Sequence, residues 1–315
     1  MIHMIEFYAM GCNVNVQLES GSNATALLRE LPTAVAELEA ILTRFDTESE
    51  LMRLNARAGQ WVEVSDVLFD VIEAAQHAAW LTEGLFNPLI LPALTAYGYD
   101  RDFDAMRVVP RATPQSVPDW RDLCVRPSTK QVKVPAGIAL DLGGIAKGWT
   151  SAYLADHLSV CGPCLVNIGG DITGRGTPAG YEGWPVEVEC PNTNERFATI
   201  YLEDRTIVTS GTDYRRWTNE TDVFYNHIID PQTGAPTTSD ALSVTVMHDD
   251  ATTAEAYATA VLLRGVKDGI GWLQSQTAGE GVAFDADCRT YVTQSFIPKM
   301  SERKAIPCHI PFALS

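Results

Sequence analysis

The chain has 315 residues, 46% hydrophobic and 20% charged. That is ample for a packed core, argues against a disordered or fibrous chain, and at about 150 residues per domain allows one large or two modest domains. The 23 Lys and Arg against 40 Asp and Glu leave a net charge of −17, and no Lys/Arg-rich block supplies the basic stripe that a polyanion needs, which argues against nucleic acid and anionic membrane surfaces.

In chain order, Phe7 to Leu18 reads as one half-buried strand, with Val14, Val16 and Leu18 on one face. Thr25 to Arg44 has helical apolar spacing, with Pro32 expected in its first turn. Val67 to Leu81 predicts a second amphipathic helix, capped by Ser65 and stopped by Gly84. No apolar run approaches the roughly 18 residues that span a bilayer, so membrane insertion is not expected. Val109 to Pro135 reads as an exposed connector with short strands. Ile138 to Asp141 reads as a buried strand entering Gly143-Gly144, followed by a helix from about Ile145 to Leu158.

Cys164 to Ile168 predicts a strand ending at Gly169-Gly170-Asp171. Trp184 to Glu189, Ala198 to Leu202 and Thr206 to Thr209 predict a strand meander. Leu242 to Met247 predicts a strand and Thr253 to Leu263 a helix closed by Gly265. A short helix near Ile270 to Gln274 and strands at Gly281 to Asp285 and Thr290 to Gln294 complete the pattern. Strands outnumber helices and short turns join them, so the expected class is α+β with mixed, mostly antiparallel sheets and packed helices.

The seven cysteines (Cys12, Cys124, Cys161, Cys164, Cys190, Cys288 and Cys308) are odd in number and do not form a disulfide framework. The opening residues lack a basic segment followed by an apolar one. Both readings point to the reducing cytoplasm. Cys161-Gly-Pro-Cys164 matches a dithiol redox motif literally, but a helix precedes it and a strand follows, the reverse of what an activated thiolate needs. A loop is expected there.

Four constellations could carry chemistry. Asp141-Leu-Gly-Gly-Ile-Ala-Lys-Gly148 lies at a turn into a helix, where free N–H groups and Lys147 suit an anion and Asp141 a metal or polar ring edge. Thr209-Ser210-Gly211 would suit a backbone nest around phosphate oxygens. His227-Ile-Ile-Asp230-Pro-Gln-Thr-Gly234 places His227 and Asp230 at the two ends of an apolar pair before a turn. Glu255 and Thr259, four apart on a helix, could converge on a hard cation such as Mg²⁺. Taken singly, each also fits a bland reading: a tight turn, a structural histidine, or an Ala-rich packing helix with a solvated glutamate.

Their order is more specific. D-L-G-G-I-A-K-G, V-N-I-G-G-D, T-S-G, H-I-I-D-P-x-T-G and an A-E-A-x-A-T helix, preceded by Met10-Gly11, Leu42 to Asn55 (LTRFDTESELMRLN) and Thr82 to Leu91, strongly resemble the FAD:protein FMN transferases, the ApbE-type flavin transferase family. The likeness runs from about Phe7 to Phe296. It implies an ApbE-like, T-fold-related architecture in a single domain spanning 1–315, with a helical part over about 25–105 and a strand-rich part over about 130–296. The implied activity is transfer of FMN from FAD to a threonine hydroxyl of a target flavoprotein, releasing AMP, with Mg²⁺ required.

By motif position the resemblance implies FAD contacts at Met10, Phe45, Leu85, Phe86, Asn87, Asp141, Lys147 and Ile228, to which the Thr209 and Ser210 reading adds two more. It implies metal ligation by the Gly144 carbonyl, Glu255 and Thr259. His227, oriented by Asp230, is the nearest candidate to accept the threonine proton. The sequence departs from the family pattern in having Glu255 and Asn87 where Asp is usual, and Cys12 where Thr is usual. The rival readings are an FAD pyrophosphatase giving free FMN and AMP, a non-catalytic flavin-binding protein, and a dithiol oxidoreductase using Cys161 and Cys164.

Overall fold

A computed structural model describes residues 1–20, 24–106, 108–193 and 195–301; Cys308 lies outside them. In chain order the elements are β1 (Ile2–Ala9), β2 (Cys12–Glu19), α1 (Ala24–Leu42), α2 (Glu50–Asn55), β3 (Val62–Glu63), α3 (Asp66–Leu81) and α4 (Leu91–Ala96). Next come β4 (Cys124–Arg126), β5 (Gln131–Lys133), α5 (Ala146–Ser159), β6 (Cys164–Ile168), β7 (Asp171–Arg175), β8 (Trp184–Cys190) and β9 (Glu195–Leu202). The remainder is β10 (Thr206–Gly211), β11 (Arg216–Thr218), β12 (Phe224–Asn226), β13 (Ile229–Asp230), β14 (Ala235–Pro236), β15 (Ala241–His248), α6 (Ala251–Arg264), α7 (Val266–Ser275), β16 (Glu280–Asp285), β17 (Thr290–Val292) and β18 (Met300–Ser301). The class is α+β with antiparallel sheets. The chain forms two compact units: unit 1 comprises Met1–Ala34, Lys147–Gly211 and Ser239–Ser315, and unit 2 comprises Val35–Ala146 and Thr212–Thr238.

Unit 1 is built on an eight-stranded sheet in the order β1-β2-β6-β7-β10-β15-β16-β17. The expected single strand over Phe7 to Leu18 is instead a hairpin. Met10 and Gly11 both take positive φ, 52° and 67°, so they form the tight two-residue turn that matches strand twist, and Ala9 pairs with Cys12. Gly169 and Gly170 make a second such turn between β6 and β7, with Ile168 opposite Asp171. A side chain at Gly169 would meet Cys12 Cβ and Sγ at 2.8 Å, so the two turns abut and only glycine fits.

The expected meander breaks after β9. Strands β8 and β9 pair with β18 in a separate three-stranded sheet, while β10 joins the large sheet between β7 and β15. The reason is burial. Trp184, Val186 and Val188 alternate inward on β8 and pack with Phe197, Ile200, Met247, Phe284 and Phe296 in one core. Helix α6, with Asp250 capping the N–H of Thr253 at 2.7 Å, lies against β10 and β15. Its small buried residues Ala254, Ala256, Ala258 and Ala260 permit that close approach. A buried hydroxyl chain, Ser151 to Thr173 (2.8 Å) to Thr206 (2.9 Å), joins α5 to the sheet.

Unit 2 carries α2 to α4, the small sheet β3-β5-β4 and the hairpins β11–β12 and β13–β14. Ser65 caps α3 by accepting from Leu68 N at 3.3 Å, as its sequence predicts. Thr82, not Gly84, is the capping residue at the other end, and the Gly84 N–H then closes the turn on Ala79 O. Two expectations need correction. Pro32 lies inside α1 rather than in its first turn. Ile138 to Asp141 is not a ladder strand: the Leu140 N–H donates to Asn55 Oδ1 at 2.8 Å and Asn55 Nδ2 donates to Leu140 O at 3.0 Å. One side chain thus replaces a neighbouring strand. Tyr97, Tyr99, Trp217, Tyr225 and Ile229 form a second, aromatic core.

Candidate active site

One buried polar feature of unit 1 is a trio around the start of α5. Lys147 Nζ contacts Asp171 Oδ2, whose side chain is 3% exposed. Glu255, on α6, is 4% exposed, which removes the solvated reading. Its carboxyl group lies against the Gly148 N–H and the Asp171 carboxyl, and Gly148 has no side chain because a Cβ there would sit 2.6 Å from Glu255 Oε2. Burial first, and the Asp171 charge second, raise the Glu255 pKa well above the ordinary carboxylate range, opposed by Lys147 and the Gly148 N–H. Glu255 Oε2 has no hydrogen-bond partner among the described residues. Thr259 is half-buried one turn further along α6.

The half-buried Met10 is in the first hairpin turn, and Gly169 of the second lies between Cys12 and the Lys147 stem. Thr209 and Ser210 do not form a nest. They pair with Thr245 and Val244 in the β10–β15 ladder, so their backbone is committed, and Thr209 Oγ1 shares a 2.9 Å hydrogen bond with Thr245 Oγ1. Cys164 does not suit a redox role: its thiol is pushed up to about 12, chiefly by burial, and Cys164 Sγ donates to Ala155 O. The six cysteines of the described residues are all free.

In unit 2 three of the expected residues, Asp141, Phe45 and His227, are linked through Arg44 and Tyr99. Asp141 is buried, accepts from Gly143 N at 2.9 Å and lies 2.7 Å from Arg44 Nε. The Arg44 guanidinium sits over both the Phe45 ring (4.3 Å) and the Tyr99 ring (4.4 Å) and donates to Tyr99 O at 2.7 Å. Tyr99 meets the His227 ring edge-on at 6.5 Å. Burial pushes the Tyr99 hydroxyl up, against the lowering charges of Arg215 and Arg44. Phe45 is 45% exposed, leaving an aromatic face available to a ring.

Phe86 is buried and packs 3.3 Å from where a Gly144 Cβ would lie; Thr82 Oγ1 accepts its N–H at 3.0 Å. Leu85 is half-buried beside it. Asn87 spends both ends of its amide internally, donating to Pro118 O at 3.0 Å and accepting from Leu89 N at 2.9 Å. An ionised Asp could not make the first bond, which gives a physical reason for the Asn. Ile228 is held by Asn226 and Thr237 through its N–H and C=O. Asp230 Oδ1 accepts from Gln232 N at 2.8 Å, which commits that oxygen to the turn following His227.

Three neighbours of these groups were not assigned roles from sequence. Arg44 and Asp171 lie within recognised motifs, which was the available signal. Tyr99 had none.

Unit 1 thus carries a buried acid–lysine cluster, and unit 2 an aromatic–guanidinium cluster. A family model described as the ApbE family matches residues 10–283. The chain belongs to the ApbE family. A Vibrio cholerae protein named FAD:protein FMN transferase is 27% identical, over 93% of this chain and 91% of that protein. A Treponema pallidum protein of the same name is 29% identical, over 92% and 85%. The crystal structure of the ApbE protein from Thermotoga maritima has a TM-score of 0.87 at 24% identity, covering 96% of this chain and all of that one, and shares the fold. The flavin transferase ApbE from Vibrio cholerae has a TM-score of 0.80 at 25% identity, over 95% and 99%. No helix among the described residues is long and apolar enough to cross a membrane.

Proposed function

We propose that this chain, acting as a single functional domain, transfers FMN from FAD to a threonine hydroxyl of an acceptor flavoprotein and releases AMP, with Mg²⁺ required. The observation that carries the reading is the Lys147–Asp171–Glu255 cluster of unit 1 in a chain of this family. No group of three or more His, Cys, Asp or Glu side chains among the described residues could hold a metal, but a hard cation also takes carbonyl and hydroxyl oxygens. The unpartnered, buried Glu255 Oε2 suits such a cation. Glu255 and the Thr259 hydroxyl of unit 1 would hold it, and it would neutralise charge gathering on the diphosphate oxygens.

The remaining roles fall to the chain's own groups. Lys147 supplies further positive charge to the phosphates. Phe45 and the buried Phe86 present aromatic surface to the flavin or adenine, Leu85 and Met10 add apolar contact, and Asp141 and Asn87 hold the loops that carry it. Thr209 and Ser210 offer hydroxyls, and Ile228 lines the approach next to His227. His227 takes the proton from the acceptor threonine as its oxygen bonds to the FMN phosphorus, the diphosphate bond breaks, and AMP leaves with the electron pair. Asp230 positions His227 by shaping the following turn.

The free cysteines support a reducing, cytoplasmic setting and a soluble flavoprotein as acceptor. The test is incubation with FAD, Mg²⁺ and a threonine-bearing acceptor domain. Covalent flavin fluorescence on the acceptor under denaturing electrophoresis, with one AMP released per flavin, is expected. Free FMN and AMP without acceptor labelling would make the chain a pyrophosphatase, and bound FAD without turnover would make it a binding protein.

A further inference from the structure

Two buried carboxyl groups do not rest against each other unless a proton or a cation lies between them. Glu255 and Asp171 are 4% and 2% exposed, lie within hydrogen-bonding reach of each other, and when ionised are acceptors only. Lys147 Nζ contacts one oxygen of Asp171, but nothing among the described residues donates to Glu255 Oε2. The three side chains come from separate elements of unit 1: the first turn of α5, the first residue of β7 and the middle of α6. Gly148 keeps one wall of the space bare, since a Cβ there would come within 2.6 Å of that same Oε2.

Building on the metal-dependent reading above, we infer that Asp171 is a second carboxylate ligand of the divalent cation held by Glu255. Hard divalent cations are coordinated by several oxygens, with carboxylates the strongest among them. The Glu255 arm is one methylene longer than that of an aspartate and brings its carboxyl group up to Asp171, so the pair offers two anionic oxygens to one ion. Lys147 then has a second consequence: its ammonium competes with the incoming cation for Asp171.

Mn²⁺, titrated into the full chain by calorimetry and followed by electron paramagnetic resonance, tests this. Wild type is expected to bind one ion. Asp171→Asn should weaken binding by at least about tenfold. Lys147→Met should tighten it, because the competitor for Asp171 is gone. Unchanged affinity in Asp171→Asn overturns the inference while leaving the metal reading intact. Equal weakening by Lys147→Met and Asp171→Asn also overturns it, because Asp171 would then act only by holding the lysine. Absence of Mn²⁺ binding in wild type, with and without FAD, overturns the metal reading itself. The Lys147→Met arm retains both carboxylates, so the test does not depend on the folding of Asp171→Asn.

Discussion

Replacing Asn55 with Ala removes both hydrogen bonds that stand in for a strand beside Leu140. Leu140 is fully buried, so its N–H and C=O lose their partners with no access to water, and each orphaned group costs about 1–3 kcal/mol. The expected loss is therefore about 2–6 kcal/mol, before any penalty for the smaller side chain. Urea unfolding should show a lower midpoint with an unchanged slope. The next residue is Asp141, so flavin binding should weaken as well. Asn55→Asp adds a check with a definite sign. Its ionised carboxylate accepts from Leu140 N but repels Leu140 O; once protonated, it donates to that oxygen. The folded-state pKa of the introduced carboxyl lies above the unfolded value of about 3.9, so the stabilising protonated form is lost as pH rises through the folded value and regained on acidification. A loss below about 1 kcal/mol in Asn55→Ala, or an Asn55→Asp defect that deepens in acid relative to wild type, would refute the reasoning.

Arg44→Ala leaves Asp141 buried without its counter-charge and should destabilise by about 3–5 kcal/mol in thermal or urea unfolding, with both side chains 7% exposed in the parent. Gly148→Ala should lower the melting temperature, because its Cβ would meet the buried Glu255 at Oε2 (2.6 Å), Cδ (2.8 Å) and Cγ (3.1 Å), and should weaken divalent-ion binding by displacing that carboxyl group, as thermal unfolding and calorimetry would register. His227→Ala should lower FMN transfer by about 10²–10⁴-fold while FAD still binds; undiminished transfer would remove the base assignment. In the folded protein at pH 8, iodoacetamide should label exposed Cys124 and Cys161 but spare Cys164, whose thiol titrates near 12, and mass spectrometry of the labelled peptides would show which react.

Legibility followed whether a segment's partners were local. α3 is legible through the Ser65 cap and apolar spacing, and its end at Leu81 coincides with the sequence reading. The hairpin at Met10-Gly11 reads as one strand because the apolar Phe7 to Met10 runs into the alternation of Val14, Val16 and Leu18, and the positive φ values at the turn are not visible in that pattern. Ile138 to Asp141 reads as a strand because it is an apolar run, but Leu140 bonds to a side chain 85 residues away and Asp141 N to Pro88 O, which no local pattern encodes. Among the candidate site residues, the ordered motifs single out Asp141, Lys147, His227 and Glu255. They could not show that Arg44 joins Asp141 to Phe45 and Tyr99, or that Asp171 faces Glu255, since both arrangements are products of tertiary packing.

Charge ties these groups together. A chain of net charge −17 repels a dinucleotide, so local cations have to overcome the field. Two of the cations at these groups are already engaged: Arg44 with Asp141 in unit 2, Lys147 with Asp171 in unit 1. Within unit 1 one ammonium faces two carboxyl groups, and with both ionised the cluster carries a single negative charge. It cannot attract phosphate in that state. A divalent ion bound there, as proposed above, would reverse the sign to a single positive charge, and in a buried setting of low dielectric that reversal would act at close range. The same ion would relieve the repulsion between Glu255 and Asp171. Metal and anionic substrate should therefore bind with mutual reinforcement, each raising the affinity for the other by the same factor.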